Sequence, residues 1–134
     1  MSYLTLGSLY LDFQGHEKAT DFYRDLNLEN ATATIRYKVD SVTYTRTAFT
    51  SFTDNVIILH MQASRAGALT FSVSHTAPLV SQPTTKGGKL VLRCEGQEQE
   101  GVQAALKAEC QVQVKTDGVV ITSNKMLEVT RATE

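Results

Sequence analysis

Period-two alternation constrains this chain more than any other feature. Ala31, Ala33, Ile35, Tyr37 and Val39 alternate with Thr32, Thr34, Arg36 and Lys38. Successive side chains of a β-strand point to opposite faces, so this run predicts a strand with one buried and one wet face. Asp40-Ser41 supplies a tight turn into residues 42–47, which complete a hairpin. The run Val56-Ile57-Ile58-Leu59-His60-Met61 is apolar on both faces and reads as a central strand. Residues 64–67 reverse the chain, and Leu69, Phe71 and Val73 carry one face of the strand that follows.

From 76 to 88 the alternation stops; Pro78, Pro83 and Gly87-Gly88 fall there, and the stretch is expected to be a long connection. Strands resume at 89–94, 104–114, 118–122 and 126–129, with turns at Asp117-Gly118 and Ser123-Asn124. Two segments also carry a helical pattern. Ala19, Phe22, Tyr23 and Leu26 fit the spacing of an amphipathic helix, and pattern alone leaves that segment open. Val102, Ala105 and Leu106 fit it in part, but the alternating series through Val114 outvotes them. The expected fold is all-β, an antiparallel β-sandwich (part of a super-sandwich) of about 8–10 strands with little or no helix.

A chain of 134 residues, 42% of them hydrophobic, has room for one self-sufficient core. Its 13 basic and 14 acidic residues are scattered, with no Lys/Arg cluster to track phosphates, so nucleic acid is not an expected partner. No stretch approaches the length of a membrane span, and residues 1–11 lack the charged start and apolar core of a signal peptide. Cys94 and Cys110 do not form a metal-binding spacing. Cys110 continues the series Leu106, Ala108, Val112, Val114 and reads as a buried thiol; a bridge between neighbouring strands is the alternative.

Motifs for chemistry are sparse. Hydrolysis by paired carboxylates needs an acid and a base across one bond, and Asp12, Asp25, Glu29 and Asp54 are the candidates near apolar strands. Each sits beside a turn or on the wet face, where a solvated carboxylate is the ordinary outcome. His16, His60 and His75 lack metal-ligand spacing: His60 is expected to be a hydrogen-bonded core histidine, and His16, after Gly15 in a loop, to be exposed. Gly7 within a strand marks a bulge or a close backbone approach. Asn30-Ala31-Thr32 matches the short N-glycosylation pattern. Sugar binding by a module uses exposed flat rings; there is no Trp, and Tyr3, Tyr10 and Tyr23 are the candidate surface rings. No catalytic, cofactor-binding or metal-binding residue is therefore assigned, and no cofactor is expected.

One block carries a family resemblance: Phe22-Tyr23-Arg24-Asp25-Leu26-Asn27-Leu28, then Tyr44-Thr45-Arg46, Phe49-Thr50-Ser51 and Asp54-Asn55-Val56. It resembles the N-terminal domain of the family 95 glycoside hydrolases, the inverting α-L-fucosidases, which show a Tyr-Arg run leading into Leu-x-Leu, then Tyr-x-Arg, Phe-x-Ser and Asp-x-Val. The opening residues 4–13 and the ending Leu127-Glu128-Val129 are similar to that family too. Thr47 and Thr53 depart from it, standing where an acidic residue and a proline are frequent. The resemblance implies a strand, not a helix, at 22–28. It implies that residues 1–134 are a single sandwich fragment of a larger, bacterial, periplasmic or secreted hydrolase. The partner is then the rest of the parent chain, an (α/α)6 barrel that holds the acid and base and receives the oligosaccharide. An autonomous carbohydrate-binding or adhesion module is the alternative. The resemblance further implies that the family's opening strands are absent here, and a sandwich without them is expected to expose strand edges and an apolar patch, and to self-associate or be only modestly stable.

Overall fold

The computed structural model describes residues 5–98, 100–123 and 125–134. Among them are eleven strands and no helix: β1 (Ser8–Asp12), β2 (Thr20–Asn27), β3 (Thr32–Val39), β4 (Val42–Ser51), β5 (Val56–Ala63), β6 (Leu69–Thr76), β7 (Val80–Lys86), β8 (Lys89–Glu95), β9 (Lys107–Gln113), β10 (Val119–Thr122) and β11 (Met126–Ala132). They form sheets ordered β1-β6-β11-β10, β2-β3-β4-β5 and β7-β8-β9. The architecture is all-β and antiparallel, of the sandwich class.

The chain separates into two compact units, and the division passes through β6 and β11. The first comprises 1–12, 71–115 and 120–129. Its best-buried strand is β8, where Leu90, Leu92 and Cys94 are almost wholly enclosed. They pair with Val112, Cys110 and Ala108 of β9, so those side chains share one face, while Arg93 on the other face is held 2.7 Å from Glu109. Cys94 and Cys110 are free thiols on neighbouring strands, Cys94 buried and Cys110 half-buried. Gly7 is a close approach: a Cβ there would lie 2.2 Å from the Thr76 carbonyl oxygen, where β1 meets β6.

The long connection expected at 76–88 contains β7. Pro83 lacks an N–H, which an edge strand of a sheet tolerates, and β7 is an edge. Gly87 and Gly88 have φ of 58° and 73°, and the ladder closes on Lys86 and Lys89, so the pair is a two-residue hairpin turn. This hairpin lifts the strand number above the expectation. At the other end of β8's partner, β9 starts at Lys107, later than the alternation implied.

The second unit comprises 13–70, 116–119 and 130–134. Its meander β2-β3-β4-β5 follows the sequence closely. Val39 pairs with Val42 around Asp40-Ser41, and Asp40 takes the left-handed φ of 51° that the tight turn needs. The segment left open between helix and strand is β2. Asp117 ties the chain's last residues down, its Oδ1 accepting from the backbone N–H groups of Thr133 (2.7 Å) and Glu134 (3.1 Å). Asn124, one of the two residues of the expected Ser123-Asn124 turn, lies outside the described residues.

Candidate interaction surface

The site is built on the meander, where cross-strand partners share a face. Tyr37 stands opposite Tyr44, and Tyr44 opposite Ala63. The next row is Arg24, Ile35, Arg46 and Met61, and the one beyond is Leu26, Ala33, Ala48 and Leu59. Ile57, opposite Thr50, continues the same face. The opposite face presents Thr34, Thr43, Thr45 and Thr47 with Arg36 and Lys38, the wet side read in the sequence, and toward β5 it also carries the exposed Phe49, Val56 and Ile58.

The Asp40 end of the apolar face is packed. Tyr37 stacks between Phe22 (5.6 Å between ring centroids) and Tyr44 (5.5 Å), and His16 lies 4.4 Å from the Tyr44 ring. Arg46 places its guanidinium 3.8 Å from the centre of the Phe13 ring and donates a hydrogen bond to the Tyr37 hydroxyl. A guanidinium can only donate, so the Tyr37 oxygen accepts and its own hydrogen is free for His16 Nδ1, 2.9 Å away. That relay requires an unprotonated Nδ1. Burial first, and the Arg46 charge second, hold the His16 pKa below its ordinary value, against a smaller opposing pull from Glu17. Burial in turn pushes the Tyr37 hydroxyl up, opposed by Arg46. His16 is thus half-buried in an aromatic cluster rather than exposed in a loop; a sequence shows Gly15-His16 but not the rings that close over it.

The other end of the same face is bare. Leu26 is 67% exposed and Ile57 81% exposed, and the neighbouring turns carry Leu28 at 84% and Phe52 at 97%. His60 is half-exposed on edge strand β5, 3.7 Å from the Glu134 carboxylate, and is not a core histidine. The reading of β5 as a central strand fails for the same reason: its apolar run lies at the sheet edge and is largely uncovered. Arg24 and Arg46 stand at the border between the packed and bare ends, and neither has a carboxylate partner among the described residues.

The remaining candidates do not converge. Asp25 lies on the wet face of β2, Glu29 in the β2–β3 turn, and Asp54 in the β4–β5 turn beside Ser51; all are exposed. Asp12 ends β1 in the other unit. A shallow cavity of about 390 Å³ is lined by Asp21, Arg36, Tyr37, Lys38 and Thr43, with Asp21 and Lys38 paired at 2.9 Å; the four carboxylate candidates are not in it. Asn30 is exposed and accepts a hydrogen bond from Thr32. Tyr10 and Tyr23 are exposed rings in different units, Tyr23 under the Arg36 guanidinium, while Tyr3 lies outside the described residues. Among the described residues no three His, Cys, Asp or Glu side chains gather into a metal-sized group, and no helix is long and apolar enough to cross a membrane.

Comparison with known proteins gives two findings. Residues 1–134 match the family described as glycosyl hydrolase family 65, N-terminal domain. The chain is also 36% identical over 96 residues to the protein named alpha-L-fucosidase 2 of Arabidopsis thaliana; the match covers 68% of this chain and 11% of that protein.

Proposed function

Because the chain belongs to the glycosyl hydrolase family 65 N-terminal domain family, we propose that it is the non-catalytic β-sandwich part of a larger α-L-fucosidase-like hydrolase, and that its role is to pack against the catalytic portion. The observation that carries this reading is the match along all of 1–134, joined to a relative of which the matched region is 11%. The scattered placement of Asp12, Asp25, Glu29 and Asp54 supports it, since glycoside cleavage uses two carboxyl groups facing one bond at about 5–10 Å. The parent is a family 95 type enzyme in this reading, removing terminal α-L-fucosyl or related deoxy-sugar residues with inversion. Its acid and base then come from the catalytic barrel, and this domain shapes the rim of the cleft.

The test is fucose release from 2′-fucosyllactose. The purified 134-residue chain is expected to release none above buffer. The enzyme containing it is expected to release fucose first as the β-anomer, followed by NMR. Turnover by the chain alone would overturn the proposal, and first release of the α-anomer would overturn the inverting assignment.

A further inference from the structure

The bare end of the β2–β5 face has a specific chemistry. Leu26, Ala33, Ala48, Leu59 and Ile57 form an apolar floor, and the Arg24/Arg46 row borders it. No Asp or Glu lies on this face of the four strands, which follows from the alternation: Asp21 is paired with Lys38 on the other side, and Asp25 stands opposite Thr34. Arg24 is exposed and has no carboxylate partner among the described residues, while Arg46 is held by Phe13 and Tyr37; this cationic border beside an uncovered apolar floor suits a partner that supplies both apolar surface and carboxylates.

We infer that this face docks an apolar polypeptide segment edged by carboxylates, contributed by the part of the parent enzyme outside these 134 residues. The inference rests on the proposed function and adds to it the docking face and the character of what docks. Charge decides against a second copy of the chain as the occupant. Stacking this face on itself about a twofold axis would set arginine rows together with no carboxylate to receive them. The four strands span about 15 Å at the usual strand spacing, wide enough for a helix about 10 Å across or a pair of strands.

Cysteines introduced one at a time, by Leu26→Cys, Ile57→Cys and, on the opposite face, Asp25→Cys, test this beside the native Cys94 and Cys110, with maleimide labelling read residue by residue by peptide mass spectrometry. All three positions are exposed in the chain, so the substitutions leave its core intact. In the intact parent enzyme, labelling at 26 and 57 is expected to be at least tenfold slower than in the 134-residue chain, with Asp25→Cys unchanged. Adding Arg24→Glu is expected to restore fast labelling at 26, and Arg24→Lys to leave it slow. Protection of Asp25→Cys instead overturns the inference and leaves the packing role standing, on the other face. Protection of neither face overturns both. Protection in the chain alone that grows with its concentration assigns the face to a second copy and overturns the inference. Slow labelling that survives Arg24→Glu overturns the carboxylate edge.

Discussion

Tyr37 links three kinds of interaction at one point: it stacks with Phe22 and Tyr44, accepts from Arg46 and donates to His16. Tyr37→Phe keeps the stacking and removes the shared hydroxyl, leaving Arg46 and His16 half-buried without their partner. The expected cost is about 1–3 kcal/mol, read by urea denaturation; a change within error would mean that both groups re-solvate freely. His75 makes a second residue-scale case. It is 8% exposed, and its Nδ1 has no hydrogen-bond partner among the described residues. Burial holds its pKa below the ordinary value, as it does chiefly for His16. The unfolded chain then binds more protons than the folded one as the pH falls below about 6.5, so stability is complete above that value and drops through the folded pKa values. Melting temperature is expected to fall from pH 7.5 to pH 5, and to fall less in His75→Leu, which removes one buried titrating group without orphaning a partner. An identical pH dependence in that variant would contradict the account. These features were not legible in the sequence. Alternation put Tyr37 on the buried face, but His16 and Arg46 reach it from positions 21 and 9 residues away.

At the scale of the element, alternation located the meander and its turns because β2, β3 and β4 each present two unlike faces. It failed where composition misleads. The apolar run of β5 reads as central, yet burial depends on what lies beside a strand, and among the described residues β5 lies at the edge of its sheet beside β4, with the C-terminal segment bonded to it at Ala63. Pro83 and the Gly pair read as a connection, yet an edge strand accepts a proline and two glycines with positive φ make the tightest hairpin. The Phe22–Leu26 pattern fits both periods, and only pairing with β3 decides it. These differences set an order of local stability. Amides of β8, flanked by β7 and β9, are expected to exchange with solvent much more slowly than those of β5, read by native-state hydrogen exchange. Equal protection of the two strands would mean that β5 is covered in solution. Leu92→Ala, removing a side chain 1% exposed, is expected to cost about 2–5 kcal/mol, and a cost under 1 kcal/mol would show that the β8 core is loosely packed.

For the whole molecule, the sequence carried the fold class and the likeness to an N-terminal domain of a fucosidase-like glycosidase, since both reside in strand pattern and in short runs such as Tyr23-Arg24 through Leu28 and Tyr44-Thr45-Arg46; the matching family is described as family 65 rather than family 95. It carried the docking face only in part. The residues alternate visibly, but that one end is packed and the other bare follows from where Phe13 and His16 close over the rings. The central claim is that this chain is a packing domain rather than a catalyst. Sedimentation velocity of the purified chain mixed with the separately produced remainder of its parent enzyme tests it most directly. The account requires a one-to-one complex that Ile57→Glu weakens at least tenfold. Two species that sediment independently at every ratio would contradict it.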